Sequence, residues 1–334
     1  MRYVDHWDVI VVTAVRDLTP SVREFTLETP WTAPHGPGAH IDVEVLIDGR
    51  PETRSYSLVG EGGGAIRRIA VKGEQFSRGG SRYMWSLSPG ARLKATPPSN
   101  SFELSLEGGA YLLLAGGIGV TPMVGMASAL VGRKADARMI YAGRARAEMA
   151  YLDELAGSLG ERLTVSADED GGGLPDLAAA FADLAPDAQV YVCGPIPMLE
   201  AAKRAWAAAG RPAANLRFET FGSSGRYANA PFTVKIPRLG LEIEVPESRS
   251  MLDALTEAGV GVLADCRRGE CGLCAMDVVA VNGIVDHRDV FLSDAQHQTA
   301  EKICACVSRL AGGAITVEPA WRGDVSTTPS KVFG

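Results

Sequence analysis

The chain has 334 residues, enough for two or three domains, and its 46% hydrophobic and 22% charged residues are the balance of an ordinary globular protein. A net charge of −7 without any lysine or arginine run argues against a nucleic-acid partner. Six cysteines in a chain this long do not make a secreted disulfide framework, and Met1-Arg-Tyr-Val-Asp-His-Trp7 lacks the apolar core of a signal peptide, so the expected compartment is the reducing cytoplasm.

Residues 7–107 carry short apolar or alternating runs at 7–15, 23–29, 41–46, 54–58 and 66–72, broken by Pro, Gly and Asp. Strands at this pitch predict a small closed barrel. One of them holds Arg54-Ser-Tyr-Ser57. There Tyr56 can stack on a planar ring, Ser57 can hydrogen-bond it and Arg54 can neutralise a phosphate. An ordinary strand with alternating faces would look the same. Ser77-Arg-Gly-Gly-Ser81 is a backbone cradle for phosphate or merely a turn.

From residue 110 the rhythm changes. Strands are predicted at 111–115, 138–141, 162–166, 189–193 and 216–218, with helices at 121–131, 149–159, 174–184 and 196–209. Such alternation means βαβ units and a parallel, doubly wound sheet. Residues 110–131 carry no charge over 22 positions, long enough on paper to span a bilayer. Gly116, Gly117, Gly119, Gly125 and Pro122 interrupt the run, so a buried strand, a glycine turn and a helix explain it better, and no membrane span is expected.

Gly116-Gly-Ile-Gly-Val-Thr-Pro122 joins that strand to its helix, where glycines admit a phosphate to free N–H groups at the positive helix end. It is neither Gly-x-Gly-x-x-Gly nor a Walker loop, and alone it is a tight corner as often as a site. Cys193-Gly-Pro195 ends a later strand and again precedes a helix. Ligands bind open α/β sheets at the carboxyl ends of strands, so the two loops can flank one crevice for a dinucleotide.

Residues 221–231 have the Gly/Ser composition of a linker. A hairpin at 232–245 and a helix at 251–259 lead into Asp265-Cys-Arg-Arg-Gly-Glu-Cys-Gly-Leu-Cys274. Four residues separate Cys266 from Cys271 and two separate Cys271 from Cys274, the plant-type spacing for a [2Fe–2S] cluster. Zinc is the rival, but structural zinc sites usually pair two short Cys/His hairpins and a second is missing. For the fourth ligand, Cys304 and Cys306 follow Cys274 after 29 and 31 intervening residues, and spacing does not choose between them. The unused one would be a buried apolar thiol.

In their order along the chain, Arg54-Ser-Tyr-Ser-Leu58, Arg78-Gly-Gly-Ser81, Gly116-Gly-Ile-Gly-Val-Thr-Pro122, Cys193-Gly-Pro195, Phe218-Glu-Thr-Phe-Gly222 and the C-terminal cysteines resemble the phthalate dioxygenase reductase family, which includes vanillate demethylase reductases, within the ferredoxin–NADP reductase superfamily. The resemblance spans nearly all of residues 1–319. It implies an antiparallel β-barrel flavin domain over 1–108 and an α/β doubly wound NAD-binding domain over 109–222. A linker at 223–231, an α+β, β-grasp-like ferredoxin domain over 232–320 and a tail at 321–334 would follow.

FMN would be held by Arg54, Ser55, Tyr56, Ser57 and Lys72, with Gly79, Gly80 and Ser81 near its phosphate and Phe221 by its ring. Gly116, Gly117, Gly119, Thr121, Cys193, Gly194 and Pro195 would border the pyridine nucleotide. The family's Cys-x-Ser-Arg ending selects Cys306, completing Cys266, Cys271, Cys274 and Cys306 as cluster ligands. Asp286-His-Arg-Asp289 is a further family feature; as a kinase catalytic loop it fails, because the downstream Asn is absent.

Asp168 follows the third strand of the predicted sheet and in this family suits the free 2′-hydroxyl of NADH. Arg144 and Arg146 point the other way, toward the 2′-phosphate of NADPH. The balance of charge favours NADH. The resemblance implies an electron-transfer reductase that passes electrons from NADH through FMN and the cluster to a Rieske-type aromatic oxygenase or demethylase, as a monomer, without catalytic acids, bases or nucleophiles. A haem-thiolate monooxygenase is the alternative partner. A partner-free flavin or ferric reductase would leave the ferredoxin domain superfluous, and a cluster-based sensor would leave two nucleotide sites unused. Arg267, Arg268 and Glu270 are candidate docking groups.

Overall fold

The computed structural model describes residues 6–73, 79–171, 173, 175–221, 225 and 227–320. The expected Ser77 and Arg78 of the phosphate cradle, and the tail from 321, lie outside the described residues. The chain divides into two compact units, residues 1–219 and 220–334.

The first unit opens with β1 (Asp8–Thr19), β2 (Val22–Glu28), β3 (His40–Ile47), β4 (Arg50–Ser57), β5 (Ile66–Lys72), the short helix α1 (Gly80–Trp85) and β6 (Arg92–Ala95). They form an antiparallel sheet in the order β4-β3-β6-β1-β2-β5. Its two ends meet where the Val59 N–H donates to the Arg68 carbonyl at 2.9 Å beside a Leu58–Ile69 bridge, which closes the barrel. Alternation drives this: Ile41, Val43, Val45 and Ile47 of β3 point inward onto Ile10, Val12, Phe25 and Leu27. Sequence periodicity missed β6, only four residues long, although it fills the gap between β3 and β1. It missed α1 as well.

A parallel sheet follows, with β7 (Ala110–Gly116), α2 (Val120–Gly132), β8 (Asp136–Gly143), α3 (Leu152–Leu159), β9 (Leu163–Ala167), α4 (Leu177–Ala182), β10 (Gln189–Cys193), α5 (Ile196–Ala208) and β11 (Leu216–Glu219). Its order is β11-β10-β7-β8-β9, so the winding reverses between β7 and β10. Every residue of β7 is buried, as befits a central strand covered on both faces. Asp176 caps α4 by accepting from the Ala178 and Ala179 N–H groups.

The third helix starts three residues later than its apolar pattern predicts. Tyr151 adopts φ 60°, a left-handed conformation that stops helix propagation backward. Its hydroxyl donates to Glu24 of β2 at 2.9 Å, tying barrel and parallel sheet into one unit. Glu24 is buried and also meets Arg16 at 2.9 Å and Arg68 at 3.3 Å. Close backbone approach seals the same seam, since a Cβ on Gly125 would lie 2.9 Å from the Gly60 carbonyl oxygen.

The second unit contains β12 (Phe232–Ile236), β13 (Leu241–Val245), α6 (Met251–Glu257), β14 (Ala275–Asn282), β15 (Val285–Asp286), α7 (Asp294–Thr299), β16 (Lys302–Cys304), β17 (Arg309–Leu310) and β18 (Ala314–Glu318). A mixed sheet in the order β13-β12-β18-β14-β16 has α6 packed through Met251, Leu252 and Leu255 into its core, the expected β-grasp-like arrangement. The predicted hairpin is β12–β13. Ser250 caps α6, and Ser293 with Gln296 forms a capping box on α7.

Removing Glu24 strands Tyr151 and two partly exposed arginines, so Glu24→Ala is expected to lower unfolding stability by about 2–3 kcal/mol and Tyr151→Phe by about 1 kcal/mol in urea titrations. Burial, followed by the Glu24 carboxylate, raises the Tyr151 hydroxyl above its ordinary range, and burial raises Tyr141 likewise. A raised folded-state value favours the protonated form. The stability from these hydroxyls is therefore complete below pH about 10, the unfolded value, and is lost as pH rises above it. Tyr151→Phe should show a shallower alkaline loss.

Candidate functional site

Arg54 and Tyr56 share one face of β4, opposite Val43 and Ile41 of β3. Burial raises the Tyr56 hydroxyl well above its ordinary value, so the phenol stays neutral. Arg54 pairs with Glu52 at 2.7 Å and donates to the Thr53 carbonyl at 2.8 Å. The ring and the guanidinium thus lie on one side of the strand. Ser55 and Ser57 take the other face: Ser55 is exposed and donates to Asp42, while Ser57 is buried opposite His40.

The glycines after β5 meet the same strand. A Cβ on Gly80 would lie 2.8 Å from Arg54 Nε, and one on Gly79, at φ 92°, would lie 2.7 Å from Ile47 Cγ2. Ser81 Oγ is buried without a hydrogen-bond partner. An orphaned hydroxyl beside a guanidinium-lined glycine step suits a phosphate, so the residues present fit a flavin mononucleotide tail. Lys72 ends β5 opposite Val22 and is half-buried. Phe221 is half-buried in the second unit.

At the switch point the two nucleotide loops converge. Cys193 of β10 is in register with Ala115 of β7, and both strands run into their loops side by side. A Cβ on Gly119 would lie 2.2 Å from the Cys193 carbonyl oxygen, and one on Gly194 would lie 3.0 Å from Gly116 Cα. Gly116 itself abuts Pro195, at 2.7 Å by the same measure. These glycines are there because one loop packs on the other. Gly117 differs, with φ 53° and open space where a side chain would stand, which leaves its backbone approachable. The buried Thr121 hydroxyl donates to the Ile118 carbonyl at 3.0 Å and fixes the first turn of α2.

Asp168 is exposed at the carboxyl end of β9, the edge strand. Arg146 is committed nearby, 2.8 Å from Asp170, and its N–H donates to Glu169 Oε1 at 2.7 Å. Arg144 is exposed and its carbonyl accepts from the Glu169 N–H.

The cysteine loop is shaped for sulfur. Cys266 Sγ accepts from the N–H groups of Arg268, Glu270 and Cys271, each at 3.4 Å, so the loop turns three backbone donors onto one sulfur. Arg267 at φ 51°, Gly269 at φ 78° and Gly272 at φ 72° make the turns that aim those N–H groups inward. The thiols of Cys304 and Cys306 lie within hydrogen-bonding reach of Cys274 and pull its pKa down to about 3, while the same contact pushes theirs up. Cys306 additionally faces Cys266 and the Gly269 N–H, whereas Cys304 faces Asp289. Those neighbours favour Cys306 as the thiol turned toward the loop. The donor set fits an iron–sulfur cluster. Gly269, which sequence reasoning passed over, lets the loop touch the segment carrying Cys306, since a Cβ there would lie 2.6 Å from Val307. The proposed docking groups are engaged locally: Arg267 with Asp253 at 3.0 Å, and Arg268 with Glu270 at 3.5 Å.

Residues 234–311 match the 2Fe-2S iron-sulfur cluster binding domain and residues 113–204 the oxidoreductase NAD-binding domain. The heme-dependent oxidative N-demethylase beta subunit of Ectopseudomonas mendocina is 36% identical over 92% of this chain and 97% of its own. A putative toluene-4-sulfonate monooxygenase system reductase subunit of Comamonas testosteroni is 36% identical over 92% and 98%. Among solved structures, phthalate dioxygenase reductase, described as modular for electron transfer from pyridine nucleotides to [2Fe-2S], aligns with TM-score 0.72 and 30% identity over 93% of this chain and 98% of that one. Among the described residues, no helix is long and apolar enough to cross a membrane.

Cys306→Ser is expected to abolish iron retention, whereas Cys304→Ala should keep the iron content and visible circular dichroism of the unaltered protein. Iron analysis of both variants checks the assignment.

Proposed function

Because the chain belongs to the phthalate dioxygenase reductase family of oxygenase-system reductases, we propose that it draws electrons from NADH, holds FMN on its barrel, and supplies a separate Rieske-type aromatic oxygenase or demethylase through Cys266, Cys271, Cys274 and Cys306, acting as a cytoplasmic monomer. It is an NAD(P)H-dependent oxidoreductase with an NAD-binding domain and a 2Fe-2S domain in one chain. Bound FMN would supply the two-electron to one-electron step, taking one hydride and letting its two electrons leave singly through a [2Fe–2S] cluster. The observation that carries the reading is the convergence of the two nucleotide loops at the switch point of a sheet fused to a barrel with an orphaned phosphate-site hydroxyl.

The chain's own residues bind and orient. Arg54, Gly79, Gly80 and Ser81 receive the flavin phosphate, with Lys72 at the end of β5, and Tyr56, on the same strand face as Arg54, stacks on its ring. Gly117, with Thr121 and the Cys193-Gly194-Pro195 turn, borders the nicotinamide. Asp168 accepts from the ribose 2′-hydroxyl and repels a 2′-phosphate. Neither an acid nor a base is required of the protein.

A haem-dependent terminal oxygenase is the second reading of the partner, favoured by the heme-dependent demethylase subunit among the relatives. The purified protein should show flavin bands over an iron–sulfur shoulder, bleach with anaerobic NADH and release FMN by mass. A protein still colourless after reconstitution with flavin, iron and sulfide would overturn the proposal. Asp168→Ser should raise the NADPH-to-NADH ratio of kcat/KM about tenfold, a step of about 1.4 kcal/mol; an unchanged ratio would remove Asp168 from the site.

A further inference from the structure

Apart from the cysteines, three side chains of the second unit converge without a task in electron transfer. Ring nitrogens of His287 and His297 and a carboxylate oxygen of Asp289 all lie within 4.8 Å of one another. His297 Nε2 stands 3.1 Å from Asp289 Oδ2, and His287 Nδ1 stands 3.6 Å from Oδ1. The two imidazoles stack with centroids 4.4 Å apart. Asp289 is fully buried, and the His287 side chain is only 9% exposed.

Hydrogen bonding explains two of the three. Asp289 accepts from His297, from the Leu292 N–H at 2.9 Å and from Ser308 Oγ at 2.9 Å. His287 is different: both of its ring nitrogens are buried and neither makes a hydrogen bond, the nearest acceptor being Asp289 Oδ1 at 3.6 Å, too far for one. A neutral imidazole carries one donor and one acceptor, so this burial is unfavourable unless something else engages the ring. A divalent cation would do so. Ligand arms of 2.0–2.1 Å at tetrahedral angles place neighbouring donor atoms about 3.4 Å apart, and each ring nitrogen has one Asp289 oxygen near that distance, Oδ2 at 3.1 Å from His297 and Oδ1 at 3.6 Å from His287. Two imidazoles and a carboxylate are a zinc ligand set, and the Ser308 hydroxyl with the Leu292 N–H already fixes the carboxylate as outer partners do.

We propose that His287, Asp289 and His297 form a second metal site, for zinc, distinct from the cysteine loop. Its place in the fold gives it a structural role. It would tie the segment before α7 to α7 itself. Asp289 also packs on Gly269 of the cysteine loop and bonds Ser308, two residues beyond Cys306.

The test uses the cluster-loaded holoprotein, chelator-washed, incubated with zinc and gel-filtered, with zinc and iron counted together and the zinc K-edge fine structure recorded. The expected result is one zinc per chain with iron unchanged, a nitrogen/oxygen shell at about 2.0–2.1 Å and no sulfur shell at about 2.3 Å. His287→Gln and His297→Gln should each weaken zinc binding at least about tenfold while keeping iron. Should His287→Gln lose iron through misfolding, His297→Gln, on the more exposed ring, decides. Zinc absent from the holoprotein, a sulfur shell, or equal zinc in the His297 variant would overturn the site.

Discussion

Four thiols can face one small inorganic core only if the chain between the first and third of them turns back sharply enough to leave its N–H groups inside, and the second unit is organised around that demand. The loop meets it with three left-handed residues, Arg267, Gly269 and Gly272, over six positions. The glycines also let neighbours close in, Val307 on Gly269 and the Phe291 ring on Gly272. Two of the three turns use glycine, where positive φ carries no Cβ penalty; Arg267 bears that strain, and the three N–H contacts to Cys266 offset it. The surrounding sheet fixes the remaining thiols. Ala275 pairs with Cys304 across β14 and β16, and the Ala305 N–H donates to the Cys274 carbonyl at 3.1 Å, so the third cysteine and the last pair are held in register by backbone alone. Leu252 of α6 donates to the Ala305 carbonyl at 2.9 Å, which joins the helix to the same short stretch.

The first unit solves a similar problem with packing. Its nucleotide crevice requires two loops to lie so close that side chains are excluded at Gly116, Gly119 and Gly194. The glycines there come from loop-on-loop contact before any ligand arrives. Only Gly117 combines positive φ with open space, so within a motif of similar-looking glycines the approachable backbone is concentrated at one. The barrel reaches the same unit through Glu24 and Tyr151, 127 residues apart, whose contact displaces the start of α3.

What could be read from the sequence was local. The Cys266–Cys271–Cys274 spacing, the all-buried β7 and the alternation of β3 each lie within a few residues, where periodicity and spacing speak directly. What could not be read depends on partners distant in sequence. The four-residue β6 exists because β3 and β1 need a strand between them. Tyr151 leaves its helix because Glu24 awaits it. Cys304 and Cys306 are alike in composition, and they part only when Gly269 and Cys266 on one side, and Asp289 on the other, are seen around them. Ser55 and Tyr56 are adjacent in the motif yet face opposite sides of β4, a consequence of the two-residue period.

The coenzyme question shows the same limit at the level of charge. Arg144 and Arg146 stand in the sequence as two free cations and argue for a 2′-phosphate. In the fold Arg146 is already beside Asp170 and its N–H holds Glu169, while the Arg144 carbonyl accepts from the Glu169 N–H, so the segment carrying both arginines lies against the acidic run Asp168-Glu169-Asp170. The Arg146–Asp170 pair is half exposed on both sides, 51% and 45%, and such a pair contributes at most about 1 kcal/mol. An incoming phosphate could therefore displace it. Doing so would free the Asp170 carboxylate beside Asp168 and Glu169, and the dianion would face three negative groups for the two positive ones it gained. The excess of acid over base, more than the commitment of either arginine, is what would disfavour a 2′-phosphate at this corner.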